Sequence, residues 1–268
     1  MTDKAVTYSV GEKDEEWFRE ACRRQTVTEP NHDSIGTLGE KTLHAVLKSY
    51  YEPDADCHEV PIGGYVADIV GERGIIEIQT RGFIRLRPKL EVFLEAAPVT
   101  VVYPVICRKT LINLDAVTGE VTSVRRSPKK GNIYAAVREL YTIRDFLSHP
   151  RLTIRVVLLT GEEVRRFGVR TRRRKKQRTR KGEYVSDLVP VELLDEITLA
   201  EPKDYDLFLP TRLRDGEMPF GTAELAAAAA VDTDCARMIL NLLTGMGRLV
   251  PAGKRGNARL YRRQGEEG

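Results

Sequence analysis

Residues 65–80 read YVADIVGERGIIEIQT, and this stretch constrains the fold more than any other. Two short apolar runs flank Gly71-Glu72-Arg73-Gly74, the signature of a β-hairpin. Along a strand, residues two apart share a face, so Glu77 and Gln79 are expected to point one way and Ile76 and Ile78 the other. The turn brings Asp68 back towards Glu77. Two carboxylates and an amide then converge at one end of an otherwise apolar hairpin, where solvating them is costly unless a cation joins them. The expected cation is a divalent metal.

With 268 residues the chain has room for one large domain and a small one. No apolar stretch approaches the roughly eighteen residues needed to span a bilayer. The opening residues are polar and acidic and lack a signal-peptide core, which points to the cytosol. Four cysteines and four histidines are scattered without metal-ligand spacing, so zinc and disulfide frameworks are not expected and all eight read as packing or surface residues.

The net charge of +4 conceals a strong asymmetry. Residues 165–181 read RRFGVRTRRRKKQRTRK, with eleven basic residues and no acid; taking these from +4 leaves the remainder at −7. A concentrated positive stripe, here centred on Arg172, Arg173, Arg174, Lys175 and Lys176, suits a polyanion, because cations that meet phosphates release condensed counterions. Arg125, Arg126, Lys129 and Lys130 lie just before another helical segment and offer a second phosphate-binding stretch. Residues 247–254 (GRLVPAGK) have the wrong glycine spacing for a phosphate-binding P-loop and lack a Ser or Thr after the lysine.

Hydrophobic spacing predicts a helix over 12–29 and a second, amphipathic one over 35–51 carrying Glu40. Strands are expected at 57–62, 65–70 and 74–80. Arg87-Pro88-Lys89 opens a helix to about 97, and the apolar run 99–107 reads as a strand covered on both faces. A hairpin over 109–124, a helix over 133–147 and a buried strand over 152–159 complete a mixed α/β core. The expected units are a helical extension (1–34), a core domain (35–200) with the basic insertion at 165–181, a linker (201–216) and a small domain (217–268). In the last, a helix from Thr222, a turn, a helix from Cys235 and a basic Gly-rich hairpin form the pattern of a winged helix-turn-helix. Arg237, Lys254, Arg255 and Arg259 would meet DNA there.

A helix glutamate (Glu40), a strand aspartate (Asp68) and Glu77-x-Gln79 on the next strand, followed by a helix and an apolar strand, resemble the PD-(D/E)xK nuclease superfamily over residues 35–108. The resemblance implies a restriction-endonuclease-like mixed sheet flanked by helices, and magnesium- or manganese-dependent hydrolysis of nucleic-acid phosphodiesters. It implies Asp68, Glu77 and the Ile78 carbonyl as metal ligands, with Glu40 acting through water. Gln79 stands where the family usually has lysine. Lys89 on the next helix could supply the displaced charge, with Lys41 and Arg81 as weaker candidates. The expectation is therefore a prokaryotic DNA endonuclease acting on double-stranded DNA, with a homodimer as one way to cut both strands. The alternatives are a DNA-binding regulator with a decayed nuclease core and a protein-interaction scaffold.

Overall fold

A computed structural model describes residues 11–27, 41–115, 118–167, 184–216 and 218–264. Helices α1 (Glu12–Val27) and α2 (Lys41–Tyr51) lead into an antiparallel meander of β1 (His58–Ile62), β2 (Tyr65–Gly71) and β3 (Gly74–Ile78). The β2–β3 turn needs Gly74, whose φ is +97° and where a Cβ would fall 2.3 Å from the Pro98 carbonyl oxygen. Helix α3 (Arg87–Ala96) then crosses over to β4 (Val99–Asp115), parallel to β3. Pro88 sits in the first turn of α3, where no N–H is needed.

Beyond β4 come β5 (Val121–Arg126), α4 (Val137–Thr142), β6 (Leu152–Phe167) and β7 (Tyr184–Leu199). The sheet has seven strands in the order β1-β2-β3-β4-β6-β7, with β5 paired to β4. Strand β4 is long enough to serve two partners on one edge: β3 covers residues 99–102 and β5 covers residues 110–114. Its other edge runs parallel to β6 throughout. The molecule is thus a mixed α/β protein with a large mixed sheet flanked by helices.

Continuous apolar runs in β4 and β6 reflect burial on both faces: Val101, Val102, Val156 and Val157 are all fully buried. One face packs against α1 and α2, where Phe18 meets Tyr50 edge-on at 5.5 Å between ring centroids. Helix α2 is also clamped to β7, because Tyr50 and Tyr51 both donate to Glu196 and Thr42 donates to Asp187 at 2.8 Å. The other face packs against α3 and α4.

Several segments depart from the sequence expectations. Strand β6 continues well past residue 159 and carries Arg165 and Arg166, so the basic run opens inside a strand. The remainder of the run, from 168 on, lies outside the described residues. Strand β7 was not anticipated, because Pro190 and interspersed acids mask its alternation. Residues 133–147 contain a 3-10 turn (Ile133–Ala136) before the short α4 rather than one long helix.

The expected linker at 201–216 holds a 3-10 helix (Pro202–Phe208) with Tyr205, Phe208 and Leu209 buried, followed by α5 (Thr211–Arg214). Its aromatic residues fill core space, and Asp206 is buried against Arg248 at 2.9 and 2.5 Å and Arg263 at 3.2 Å. Helices α6 (Thr222–Ala229) and α7 (Thr233–Gly245) and the hairpin of β8 (Leu249–Arg255) and β9 (Ala258–Arg263) follow. Asp232 caps α7 through the Cys235 N–H at 2.7 Å and pairs with Arg138 of α4 at 2.9 Å. Leu225, Ile239 and Leu243 belong to the same apolar core as the sheet and α3. Among the described residues, none of the helices is long and apolar enough to cross a membrane.

Candidate active site

Strand register places Glu59, Asp68 and Glu77 side by side on β1, β2 and β3. The β1–β2 ladder pairs His58 with Ile69 and Val60 with Ala67 but passes over Glu59 and Asp68; the β2–β3 ladder stops at Ile69 and Ile76, just short of Asp68 and Glu77. Glu59 has φ +54°, the left-handed region that a non-glycine residue enters at a cost of about 1–3 kcal/mol. Side chains take over where the backbone ladder parts. The Ile78 N–H donates to Asp68 Oδ2 at 2.8 Å, and the Asp68 N–H donates to Glu77 Oε1 at 3.2 Å.

Each acid also has a basic partner from a flanking helix. Lys48 Nζ lies 3.0 Å from Glu59 Oε1, His44 Nε2 lies 3.1 Å from Asp68 Oδ2, and Lys89 Nζ lies 2.9 Å from Glu77 Oε2. His44 and Lys48 are one turn apart on α2 and therefore share a face, while Lys89 reaches across from α3. Lys89 also donates to the Val66 carbonyl at 2.8 Å and lies over the Phe93 ring, so its ammonium is held in place. The row runs from solvent inward: the side chain of Glu59 is 75 % exposed, that of Asp68 20 % and that of Glu77 2 %.

Proton affinities split along this gradient. Burial pushes the Asp68 carboxyl up, but the bond and charge of His44 and the Ile78 N–H outweigh it and hold it below the usual carboxylate range. Burial also pushes Glu77 up, the Asp68 charge adds to that, and Lys89 offsets only part, leaving Glu77 above its ordinary value. Added positive charge would favour the ionised form of a buried carboxylate that repels its neighbour this way.

Asp68, Glu77 and Lys89 are therefore brought together as the sequence led us to expect. Gln79 makes no side-chain hydrogen bond to any of them: it follows the last residue of β3, its N–H donates to the Val102 carbonyl of β4 at 2.9 Å, and its side chain donates to the Arg81 carbonyl at 2.6 Å. It lines a cavity of about 790 Å³ with His44, Lys48, Arg81 and Arg85. Glu40 lies outside the described residues.

Sequence reading missed His44, Lys48 and Glu59. The signal was the polar pair His44 and Lys48, one helical turn apart beside the apolar stripe of Leu43, Val46 and Leu47. Of the expected nucleic-acid contacts, Arg125 and Arg126 lie on the exposed strand β5, and Lys129 and Lys130 are exposed in the loop after it. Arg172, Arg173, Arg174, Lys175 and Lys176 lie outside the described residues. Arg237 is taken up by Asp234 at 2.8 Å and Arg255 by Glu224, while Lys254 and Arg259 are exposed on the β8–β9 hairpin.

Among the described residues, no group of three or more His, Cys, Asp or Glu side chains could hold a metal ion by itself. Asp68 and Glu77 nevertheless suit magnesium, a hard cation held by one or two carboxylates together with waters and substrate phosphate rather than by an all-protein cage. Asp68 Oδ1 accepts no hydrogen bond among the described residues, which leaves one oxygen open to a ligand.

The chain is 30 % identical over 236 residues to a protein of Treponema pallidum (strain Nichols) described as an uncharacterized protein, covering 86 % of this chain and 88 % of that one. No solved structure matches it. A family model for a domain of unknown function, DUF8091, matches residues 41–200, from the start of α2 to just past the end of β7. That span contains the acid row and its three basic partners, and the chain belongs to the DUF8091 family.

Proposed function

We propose that the chain is a metal-dependent endonuclease that hydrolyses phosphodiester bonds in DNA. The observation that carries this reading is the meeting of Asp68, Glu77 and Lys89 where β2 and β3 part. Asp68 and Glu77 would hold the metal, which when bound polarises the phosphodiester and lowers the pKa of an attacking water. The chain's own groups do the rest. His44 fixes the orientation of Asp68. Lys89 stands where it can replace the lysine that the Glu77-x-Gln79 sequence lacks, adding positive charge beside the reacting phosphate. The unit α6–α7–β8–β9 has the element order of a winged helix, and we read it as a duplex-positioning module with Lys254 and Arg259 on phosphates.

A second reading is favoured by two contacts. Gln79 is tied to the Arg81 carbonyl, and both oxygens of Glu77 are already engaged. These fit a DNA-binding protein whose nuclease core no longer cuts. One experiment separates the readings: plasmid and oligonucleotide binding and cleavage in magnesium, manganese or EDTA. The nuclease reading expects metal-dependent cutting that falls at least about 100-fold in Asp68→Ala, Glu77→Ala and Lys89→Ala. Cutting at wild-type rates by the Asp68 and Glu77 variants overturns the site. Salt-sensitive binding without cutting in any metal selects the second reading, and no retention of DNA at all would leave a protein-interaction scaffold.

A further inference from the structure

A second cleft opens farther along β4, between the last residue of β3 and the last residue of β5. Its volume is about 380 Å³, and Arg108, Lys109, Arg126, Lys129, Lys130 and Thr160 are among the residues that line it. Glu162 and Glu192 also line it, but the balance is cationic. Lys109 is held by Glu163 at 2.5 Å, and Arg108 only loosely by Glu192 at 3.7 Å. Arg126, Lys129 and Lys130 make no ion pair among the described residues. Three neighbouring cations that make no ion pair repel one another, and with Glu162 and Glu192 offsetting only part of the cleft's charge, an anion relieves the repulsion.

The loop carrying these cations is fixed before any ligand arrives. The Ser127 N–H donates to the Lys109 carbonyl at 2.8 Å and the Gly131 N–H to the Cys107 carbonyl at 3.3 Å, tying both ends of the loop to β4. The Lys129 N–H donates to Ser127 Oγ at 3.2 Å. Gly131 lies so close to the strand that a Cβ there would fall 2.5 Å from the Ile106 carbonyl oxygen. The cleft is thus a preorganised receptor rather than a loose basic tail.

Its position along β4 sets a distance. Glu77 is opposite Val101, and Arg108 lies seven residues farther on, roughly 23 Å at the usual strand rise. Duplex DNA advances about 3.4 Å per base pair, so this separation is about seven base pairs. We infer that the cleft is a phosphate-anchoring site for nucleic acid, receiving the backbone about seven base pairs from the bond held at Asp68 and Glu77. The distance rests on the nuclease reading; the anchor itself does not.

The test reads binding in EDTA, so that cleavage plays no part. A fluorescent duplex of about twenty base pairs is titrated against the full chain over a range of salt. Three proteins are compared: wild type, the cleft variant Arg126→Ala/Lys129→Ala/Lys130→Ala, and a control that removes Arg19, Arg23 and Arg24 from α1. The cleft variant is expected to bind about tenfold more weakly, with a salt slope reduced by about three, while the control stays near wild type. Equal losses in cleft variant and control would mean general charge attraction and overturn the proposal, as would an unaffected cleft variant. Calorimetry with pyrophosphate is the remaining arm. Tight binding of that ion, lost in the variant while duplex affinity holds, would make this a site for small phosphates and not for nucleic acid. If wild type never cuts but the cleft variant still loses duplex, the anchor stands and only the nuclease reading fails.

Discussion

The acid row and the basic cleft lie on the same sheet and handle charge in opposite ways. In the row every carboxylate has a basic partner of its own: Lys48 for Glu59, His44 for Asp68 and Lys89 for Glu77. In the cleft, Arg126, Lys129 and Lys130 are exposed and make no ion pair among the described residues, although Glu162 and Glu192 line the same cleft. For Asp68 and Glu77 the difference follows from burial. A charge in the interior must be neutralised for the chain to fold, whereas water solvates an exposed one at little cost. The row is therefore bound up with stability, and the cleft's exposed charges are not.

The sharpest way to break this contrast is Lys89→Met. Glu77 would be left buried without its cation, and urea unfolding at neutral pH should show a loss of about 3 kcal/mol. The double change Glu77→Gln/Lys89→Met should recover most of that loss, because it removes both charges together. A double variant no more stable than Lys89→Met would mean that the lysine acts by packing on Phe93 and not by pairing.

Glu59 offers a smaller test at the exposed end of the row. Glu59→Ala and Glu59→Gly lose the same carboxylate and differ in how well they tolerate φ +54°. The glycine variant should be the more stable of the two by about 1 kcal/mol. Equal stabilities would show that the strand relaxes out of the left-handed conformation once the Lys48 contact is gone.

A pH series probes the inner end, with an effect smaller still because Lys89 offsets part of it. Glu77 binds its proton more tightly in the folded state, so it favours folding below the ordinary glutamate range. That contribution is lost as pH rises through its raised folded value. Asp68, held low, contributes stability above the ordinary aspartate range that is lost as pH falls through its depressed value. The difference in urea midpoint between wild type and Glu77→Gln should grow in favour of the variant as pH rises from about 4 to 7. A difference that stays flat would place the Glu77 carboxyl at its unfolded proton affinity.

Least affected should be the stability of the cleft variant. Removing Arg126, Lys129 and Lys130 side chains beyond Cβ should shift unfolding by less than about 0.5 kcal/mol, since exposed groups without partners contribute little. A larger loss would show that the cleft, like the row, is part of what holds the fold together.

The parts of this molecule legible in its sequence are those written in local pattern. The β2–β3 hairpin announced itself through its alternation and its Gly-flanked turn, and with it the approach of Asp68 to Glu77. Lys89 was within reach of the same argument because the helix after the hairpin must fold back over the sheet. His44 and Glu59 were not, since nothing local says which residue of α2 faces which strand, or that β1 distorts opposite Asp68. The bond from the Gln79 side chain to the Arg81 carbonyl was equally out of reach, because it depends on how the chain turns after β3 ends. The cleft was half legible. Its loop cations stood out as a charge cluster, but Arg108 and Thr160 joined it through the pairing of β4 with β6, a contact between residues far apart in the chain.

The shared core leaves one further mark on the molecule. Because Leu225, Ile239 and Leu243 sit in the same apolar body as Phe93 and Leu140, and Asp206 grips both Arg248 and Arg263, the β8–β9 hairpin is mounted on the sheet rather than tethered to it. Under the proposed reading, a nucleic acid lying across acid row, cleft and hairpin would have to match their spacing in its own relaxed form or bend to meet it, so its stiffness would enter into recognition.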